Sequence, residues 1–310
     1  MRKRRKLKVF PIVTVAVFLF VVIFAIVLVV KTFNDKKPIG NNQSEEKNTN
    51  IEENVSDLTE ITDLPTADQK EEKTPVFKED DTLFNEDAPK PVYTQKELVE
   101  LYPNTVLTET EDAGESYIND IIFIGDSTTH GMAFYGVLSG GKETNQVWTP
   151  KSGTLAMWNL LTEKIVYPDD DSEMLIGDAI AVKAPKIVVL TLGVNGVSSL
   201  EKEDFKKYYS DLIKEIKDNS DEVKIILQSI YPVCDYYEIK SISMEKINRA
   251  NTWIAELASE EEVYYLNTIS ALVNEKGYLT NSYCNGDGIH ISPEGFEVIL
   301  DYIRTHRIPD

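Results

Sequence analysis

The chain has 310 residues and is acidic, with 52 Asp and Glu against 32 Lys and Arg and a formal net charge of −20. No basic stripe interleaved with aromatic side chains occurs after residue 31, which argues against a nucleic-acid-binding protein. The chain contains two cysteines, Cys234 and Cys284, and the sequence alone leaves open whether they pair.

The N-terminus combines a basic tail with an uncharged apolar run. Residues 1–8 carry six Lys and Arg, and the 22 residues from Val9 to Val30 include no charged side chain. About 20 apolar residues in a helix cross a bilayer core of about 30 Å. A cleaved signal peptide is the alternative, but its apolar region spans about 7–15 residues and ends at a small-residue cleavage site. We therefore predict a cytoplasmic tail at 1–8 and a transmembrane signal anchor at 9–31, with the remaining chain outside the cell.

An acidic stretch of scattered apolar residues follows, from residue 32 to residue 116. It holds 22 Asp and Glu against 8 Lys, a net charge of −14, and shows no hydrophobic period. Such a segment buries too little apolar surface to offset its ordering entropy. We predict a disordered spacer, which either holds a catalytic domain off the membrane or only solvates the chain. Within it, Thr94 and Glu97 fit a capping box that predicts a short helix over 94–102.

From residue 117 onward, short apolar runs of strand length alternate with helical patterns. The β-branched runs predict strands at Ile121–Ile124, Ile187–Leu192, Val223–Ile230 and Val263–Leu266. Helices are predicted at Glu203–Asp218, at Met244–Glu260 and after Ser292-Pro293. This alternation indicates βαβ units and a parallel sheet that is covered on both faces. Functional groups in such sheets gather at the carboxyl ends of the strands.

Two short motifs at opposite ends of this region carry the candidate chemistry. Gly125-Asp126-Ser127 follows the first predicted strand, and Asp287 lies three residues before His290. A serine hydroxyl needs a neighbouring base to take its proton, and that base needs a third group to orient it. We predict Ser127 as nucleophile, His290 as general base and Asp287 as orienting carboxylate. The alternative for the first motif is a helix N-cap, because Asp and Ser both cap helices well.

These motifs, with Gly193-Val194-Asn195-Gly196 after the strand at 187–192, resemble those of the GDSL/SGNH hydrolase family over about residues 118–306. The resemblance implies a three-layer α/β/α, flavodoxin-like SGNH-hydrolase domain at 117–310 with a central parallel sheet. The chain departs from the family pattern at Gly196, where an Asp is frequent, and after Ser127, where Thr-Thr-His replaces the family's Leu and places His130 close to the nucleophile. Both departures bear on substrate preference.

The resemblance also implies an oxyanion hole. Its donors are the side-chain amide of Asn195 and the backbone N–H of Ser127, which would stabilise the tetrahedral intermediate. The family supplies a third donor from a glycine. We assign it to Gly153, with Gly140 and Gly141 as the alternatives.

Other polar and aromatic residues admit two interpretations each. His130 either lines the pocket or is an ordinary first-turn residue, and His306 is expected to face solvent from the terminal helix. Several aromatic residues and one proline either form a wall of the pocket or belong to the core: Trp148, Trp158, Tyr231, Pro232 and Tyr283.

The sequence predicts neither a cofactor nor a bound metal. Gly136–Lys142 matches a phosphate-binding loop pattern, but Glu143 stands where a Ser or Thr would bind Mg²⁺. Asp169-Asp170-Asp171 lacks the Gly and Glu of an EF-hand loop. No zinc-type spacing of His and Cys occurs.

The combined expectation is a membrane-anchored, extracytoplasmic serine esterase that works through an acyl-enzyme. Its expected substrates are short acyl esters, above all O-acetyl groups on cell-wall or surface carbohydrate, or another small ester. One alternative is an O-acyltransferase that uses the same triad to acylate a cell-surface glycan, because both reactions share the acyl-enzyme. The other is a non-catalytic surface protein that retains the fold.

Overall fold

A computed structural model of the chain describes residues 91–237, 239 and 241–309. The predicted tail at 1–8, the predicted anchor at 9–31 and the spacer up to residue 90 lie outside these residues, so they stay predictions. Within the described ranges, no helix is both long enough and apolar enough to cross a membrane.

Helices and strands alternate along the described chain. In order they are α1 Gln95–Leu101, α2 Gly114–Asn119, β1 Ile121–Gly125, α3 Ser127–Tyr135, β2 Val147–Trp148, β3 Ile165–Tyr167, β4 Ser172–Met174, α4 Ile176–Lys183, β5 Ile187–Thr191, α5 Lys202–Asn219, β6 Lys224–Gln228, α6 Met244–Glu260, β7 Tyr264–Leu266, α7 Ile269–Leu272 and α8 Pro293–Thr305. Short 3₁₀ turns occur at Gly141–Glu143, Met157–Asn159 and Asn281–Tyr283.

Five of these strands form a parallel sheet in the order β2-β1-β5-β6-β7. The strands β3 and β4 form a separate antiparallel hairpin. With that hairpin set aside, the strand order is 2-1-3-4-5, the order of flavodoxin-like sheets. The predicted α/β fold with a central parallel sheet is confirmed.

Apolar side chains on the two faces of the sheet belong to two separate cores. Along β1, Ile122 and Ile124 belong to the first core, whereas Ile121 and Phe123 belong to the second. Residues of α4, α5 and α6 pack in the first core, and residues of α3 and α8 pack in the second. The helices therefore cover both faces, which explains why the strands read as continuous apolar runs.

The predicted disordered spacer extends to residue 116, and the structure corrects this boundary. Helix α1 has the capping box, since Thr94 Oγ1 accepts from the N–H of Glu97 at 3.3 Å and the Glu97 carboxylate accepts from the N–H of Thr94 at 2.8 Å. Leu98 of this helix is 4% exposed and lies in the first core. The acidic average composition of residues 32–116 gives no indication that a single apolar side chain such as Leu98 is buried in the core.

The backbone after α1 is also bound to the domain. The N–H of Leu107 donates to the carbonyl of Tyr265 in β7 at 2.9 Å, and the N–H of Thr110 donates to the carbonyl of Thr305 at 2.6 Å. The ordered domain therefore begins well before residue 117.

The expectation that His306 faces solvent is wrong. His306 ends α8, is buried, and stacks on the ring of Tyr302 with 3.7 Å between ring centroids. Burial lowers the pKa of His306 to about 4. This histidine is therefore neutral at pH 7 and belongs to the packing of the domain.

Candidate active site

The turn after β1 presents Ser127 at the carboxyl edge of the sheet. This turn requires glycine at position 125, because a Cβ there would lie 2.0 Å from the Thr129 hydroxyl and 2.4 Å from the carbonyl oxygen of Thr191. Asp126 then caps α3, and Ser127 is the first helical residue. The N-cap interpretation and the nucleophile interpretation therefore both fit this motif, with Asp126 in one role and Ser127 available for the other.

Asp126 connects this turn to the loop that follows β5. Its carboxylate is 2% exposed and accepts from the Thr128 N–H at 3.0 Å and from the Thr128 hydroxyl at 2.7 Å. Its own N–H donates to the carbonyl of Thr191 at the end of β5 at 3.3 Å, and the backbone N–H of Val194 helps to lower its pKa. Burial raises the pKa of Asp126 to about 6, although these hydrogen bonds and the nearby imidazole of His290 oppose the shift. The sequence interpretation had no signal for this second connection.

Ser127, His290 and Asp287 form one hydrogen-bonded chain. Nε2 of His290 lies 2.9 Å from Oγ of Ser127, and Nδ1 lies 2.6 Å from Oδ2 of Asp287. An ionised carboxylate only accepts hydrogen bonds, so the proton on the neutral ring belongs on Nδ1. Nε2 is then an acceptor that faces the serine hydroxyl, as a general base must.

Asp287 is held in place by the backbone of its own loop. Its Oδ1 accepts from the N–H groups of Ile289 and His290, each at 2.9 Å. Partial burial alone would raise the pKa of Asp287, but these two N–H groups and the His290 ring lower it below its usual value. The spacing of three residues thus lets one carboxylate fix both the loop backbone and the imidazole.

Asn195 lies in the turn after β5, near the segment that contains Gly153. Its Nδ2 donates to the hydroxyl of Thr154 and to the carbonyl of Leu155, both at 3.0 Å. Both N–H bonds of the amide are engaged by these partners, so one of them must be released before Asn195 can donate to an oxyanion. The sequence interpretation did not identify these partners. Thr154 directly follows Gly153, the predicted donor glycine. This position next to Gly153 is the one feature of the sequence that could have predicted the contact between Thr154 and Asn195.

Gly153 has φ of +75°, a conformation that favours glycine. Its N–H donates to the carbonyl of Pro150 at 2.8 Å, so it would have to leave this bond to reach an oxyanion. The alternatives Gly140 and Gly141 lie past the C-terminal end of α3, a helix about 13 Å long that begins at Ser127. Gly153 therefore stays the predicted third donor among these glycines.

His130 lies beside Gly153, one helical turn after Ser127. Its Nδ1 is 3.1 Å from the Thr149 hydroxyl, and a Cβ added at Gly153 would lie 3.1 Å from the imidazole ring. The exposed ring therefore packs over the turn that contains the predicted donor. This contact favours the pocket-lining interpretation over an ordinary first-turn residue.

The proposed aromatic wall is mostly core. Trp148, Tyr231 and Pro232 are buried, and Tyr283 is half-buried. Trp158 is 55% exposed and lies three residues after Leu155, which accepts from Asn195. In the ranges described, no group of three or more His, Cys, Asp and Glu is arranged to hold a metal ion.

The parallel α/β sheet and the Ser-His-Asp chain at its carboxyl edge define the arrangement of a serine hydrolase. A model of the GDSL-like lipase/acylhydrolase family matches residues 123–298, more than half of the chain. The chain belongs to this family, and it is an enzyme that acts on ester bonds. The match spans Ser127, Asn195, Asp287 and His290. No curated protein sequence matches the chain.

Three of the solved structures that match the chain are the following. A GDSL-like lipase from Bacteroides thetaiotaomicron is 16% identical, with 66% of this chain and 92% of that chain covered and a TM-score of 0.40. A mutant of an acetyl-xylooligosaccharide esterase from Geobacillus Stearmophilus is 16% identical, with coverage of 61% and 94% and a TM-score of 0.38. A carbohydrate esterase family 3 protein from Talaromyces cellulolyticus is 16% identical, with coverage of 59% and 92% and a TM-score of 0.38. At these values, we draw no conclusion from them about the substrate.

Proposed function

We propose that this protein is an extracytoplasmic serine esterase that removes short acyl groups, with O-acetyl esters of cell-wall or surface carbohydrate as its substrates. The observation that carries the proposal is the chain of contacts from Asp287 through His290 to the hydroxyl of Ser127, at 2.6 and 2.9 Å. A general base within hydrogen-bond reach of a serine hydroxyl, and oriented by a carboxylate, is the requirement for nucleophilic catalysis.

The reaction would proceed in two steps. His290 Nε2 takes the proton of Ser127 as Oγ attacks the ester carbonyl, and the oxyanion is stabilised by the Ser127 N–H and Asn195. Collapse of the intermediate breaks the bond to the sugar oxygen, which leaves with the proton from His290. Water then attacks the acyl-serine with His290 as base, which releases the carboxylic acid and restores Ser127. Asp287 stabilises the imidazolium in both steps.

The charge of the folded region supports a neutral substrate. Residues 94–310 carry 18 Lys and Arg against 36 Asp and Glu, a net charge of −18. A surface of one sign disfavours the approach of ligands with the same sign. Acetylated sugars are uncharged at the ester, whereas polyphosphates and acidic phospholipids are anionic. The predicted anchor would place the enzyme beside surface carbohydrate.

The nucleophile is tested by labelling with a fluorophosphonate, which an activated serine attacks with loss of fluoride. We expect labelling of the wild-type chain, none of Ser127→Ala, and hydrolysis of an aryl acetate about 10³-fold or more slower in that variant. Ser139 is exposed and lies beyond the other end of α3, so Ser139→Ala is the matched control. Equal labelling of Ser127→Ala and the wild type would reject the triad.

Whether water or a glycan accepts the acyl group from the enzyme is tested by incubating the protein with an acetyl donor and a soluble glycan together. The esterase proposal predicts that free acetate exceeds acetylated glycan, and that O-acetylated glycan alone is deacetylated. Acetylated glycan in excess of acetate would instead identify an acyltransferase, since both products arise from the same acyl-enzyme.

A further inference from the structure

Two buried cysteines meet at the base of the loop that carries Asp287 and His290. Cys234 lies in the extended segment after β6, and Cys284 begins that loop. Both are free thiols, and after burial the neighbouring Cys284 side chain is among the groups that raise the pKa of the Cys234 thiol. The hydroxyl of Tyr236 lies against the same pair, 3.5 Å from the sulfur of Cys284.

Backbone contacts place this pair directly under the loop. The N–H of Cys234 donates to the carbonyl of Gly288 at 2.8 Å, and the N–H of Gly288 donates to the sulfur of Cys284 at 3.1 Å. The loop closes through the N–H of Asn285, which donates to the carbonyl of His290 at 2.9 Å. Gly288 thus joins both cysteines to the segment between Asp287 and His290.

Among the described residues, the cysteines are not part of any group of three or more His, Cys, Asp and Glu that could hold a metal ion. Two adjacent thiols without further ligands are suited to oxidation to a disulfide, provided that the compartment is oxidising. The predicted position outside the cell would supply that compartment.

We propose that Cys234 and Cys284 form a disulfide that fixes the loop bearing Asp287 and His290. The two thiols lose two protons and two electrons to a disulfide oxidant, which is reduced to two thiols as the new S–S bond forms. The bond would join the segment after β6 to the start of the loop. Its effect on catalysis rests on the proposed esterase function, whereas its formation in the cell rests only on the proposed extracytoplasmic location.

The burial of the pair bears on when the bond forms. Burial raises the pKa of the Cys234 thiol to about 11, so its reactive thiolate is scarce once the domain is folded. We therefore expect the disulfide to form during folding, before Tyr236 and the loop close over the thiols.

The experiment refolds the full chain from the reduced, unfolded state, once with oxidised glutathione and once with dithiothreitol kept present. We expect the first product to be two hydrogens lighter, with a Cys234–Cys284 linked peptide and no titratable thiol after unfolding. The reduced product should show a midpoint of thermal unfolding about 5–15 °C lower. Its kcat should be lower by about threefold to tenfold, because His290 is less firmly held.

The double variant Cys234→Ser, Cys284→Ser is the matched control, since a serine oxygen at position 284 can still accept from the N–H groups of Gly286 and Gly288. It should show no difference between the two refolding conditions. Two free thiols after oxidative refolding, or equal thermal midpoints of the two wild-type products, would overturn the proposal. An inactive protein that still contains the linked peptide would count against the esterase function and not against the disulfide.

Discussion

Asp126 is a carboxylate whose contacts and surroundings favour opposite charge states. Its ionised form accepts hydrogen bonds from Thr128, and its own N–H donates to Thr191 at the end of β5, so it joins the nucleophile turn to the strand that precedes the Asn195 loop. Its burial favours the protonated form, which is why its pKa is about 6. A carboxylate held in this way positions other groups at a cost in stability, a pattern found at functional sites.

The pH dependence of stability should reveal this cost. The folded-state pKa of about 6 lies above the ordinary value of 3.8, so the folded state holds this proton more tightly than the unfolded state. The stabilising contribution is therefore complete below about pH 4 and is lost as the pH rises through about 6. Asp126→Asn removes the titrating group.

Urea unfolding of the wild type and of Asp126→Asn at several pH values provides the measurement. Relative to the wild type, the free energy of unfolding of the variant should rise by about 2–3 kcal/mol between pH 4 and pH 8. A constant difference between the two proteins across this range would show that Asp126 does not titrate as argued.

At the scale of elements, α1 is an N-terminal helix that depends on contacts distant in sequence. Gln95 accepts from the side-chain amide of Asn267 at 3.0 Å, across 172 residues of chain. Leu98 fills a site in the first core, whereas Leu101 on the same helix is exposed. A helix of seven residues is marginal in isolation, so its order must come from this docking.

Leu98 and Leu101 allow a matched comparison of buried and exposed positions. Leu98→Ala should lower the free energy of unfolding by about 2–4 kcal/mol, because it removes a buried side chain and leaves a cavity. Leu101 is 50% exposed, so Leu101→Ala should change this energy by about 0.5 kcal/mol or less. Equal effects in urea unfolding would contradict the docking of α1 on the core.

At the scale of the whole molecule, the sequence predicts a catalytic domain tethered outside the membrane. The structure moves the start of the ordered domain to about residue 94, so the predicted spacer shortens to 32–93. That length still separates the predicted anchor from the domain, and its excess of acidic residues favours an extended chain.

Protease treatment of intact cells tests this arrangement. We expect cleavage between residues 32 and 93 and release of a fragment that retains 94–310 and hydrolyses aryl acetates. Cleavage within 94–119 should be slow, because that segment is bound to the domain. A chain that is protected until the cells are lysed would overturn the predicted orientation.

Much of the fold could be predicted because its signals are local. The apolar runs of β1 and β5 and the helical spacing in α5 and α6 each lie within a short window, so the α/β class followed from them. The short strands β2, β3 and β4 have two or three residues each, too few to show a period. Only their pairing with other strands in the folded structure identifies them as strands.

The sequence by itself determined the chemistry offered by this protein, because the motifs around Ser127 and His290 are short and specific. Tertiary structure alone decided which groups hold that chemistry in place. The partners of Asp126, Asn195 and the two cysteines come from separate segments of the chain, and the burial of His306 depends on how α8 packs. Contacts between distant residues leave no periodic pattern in the sequence, because burial and packing are set only when the chain folds.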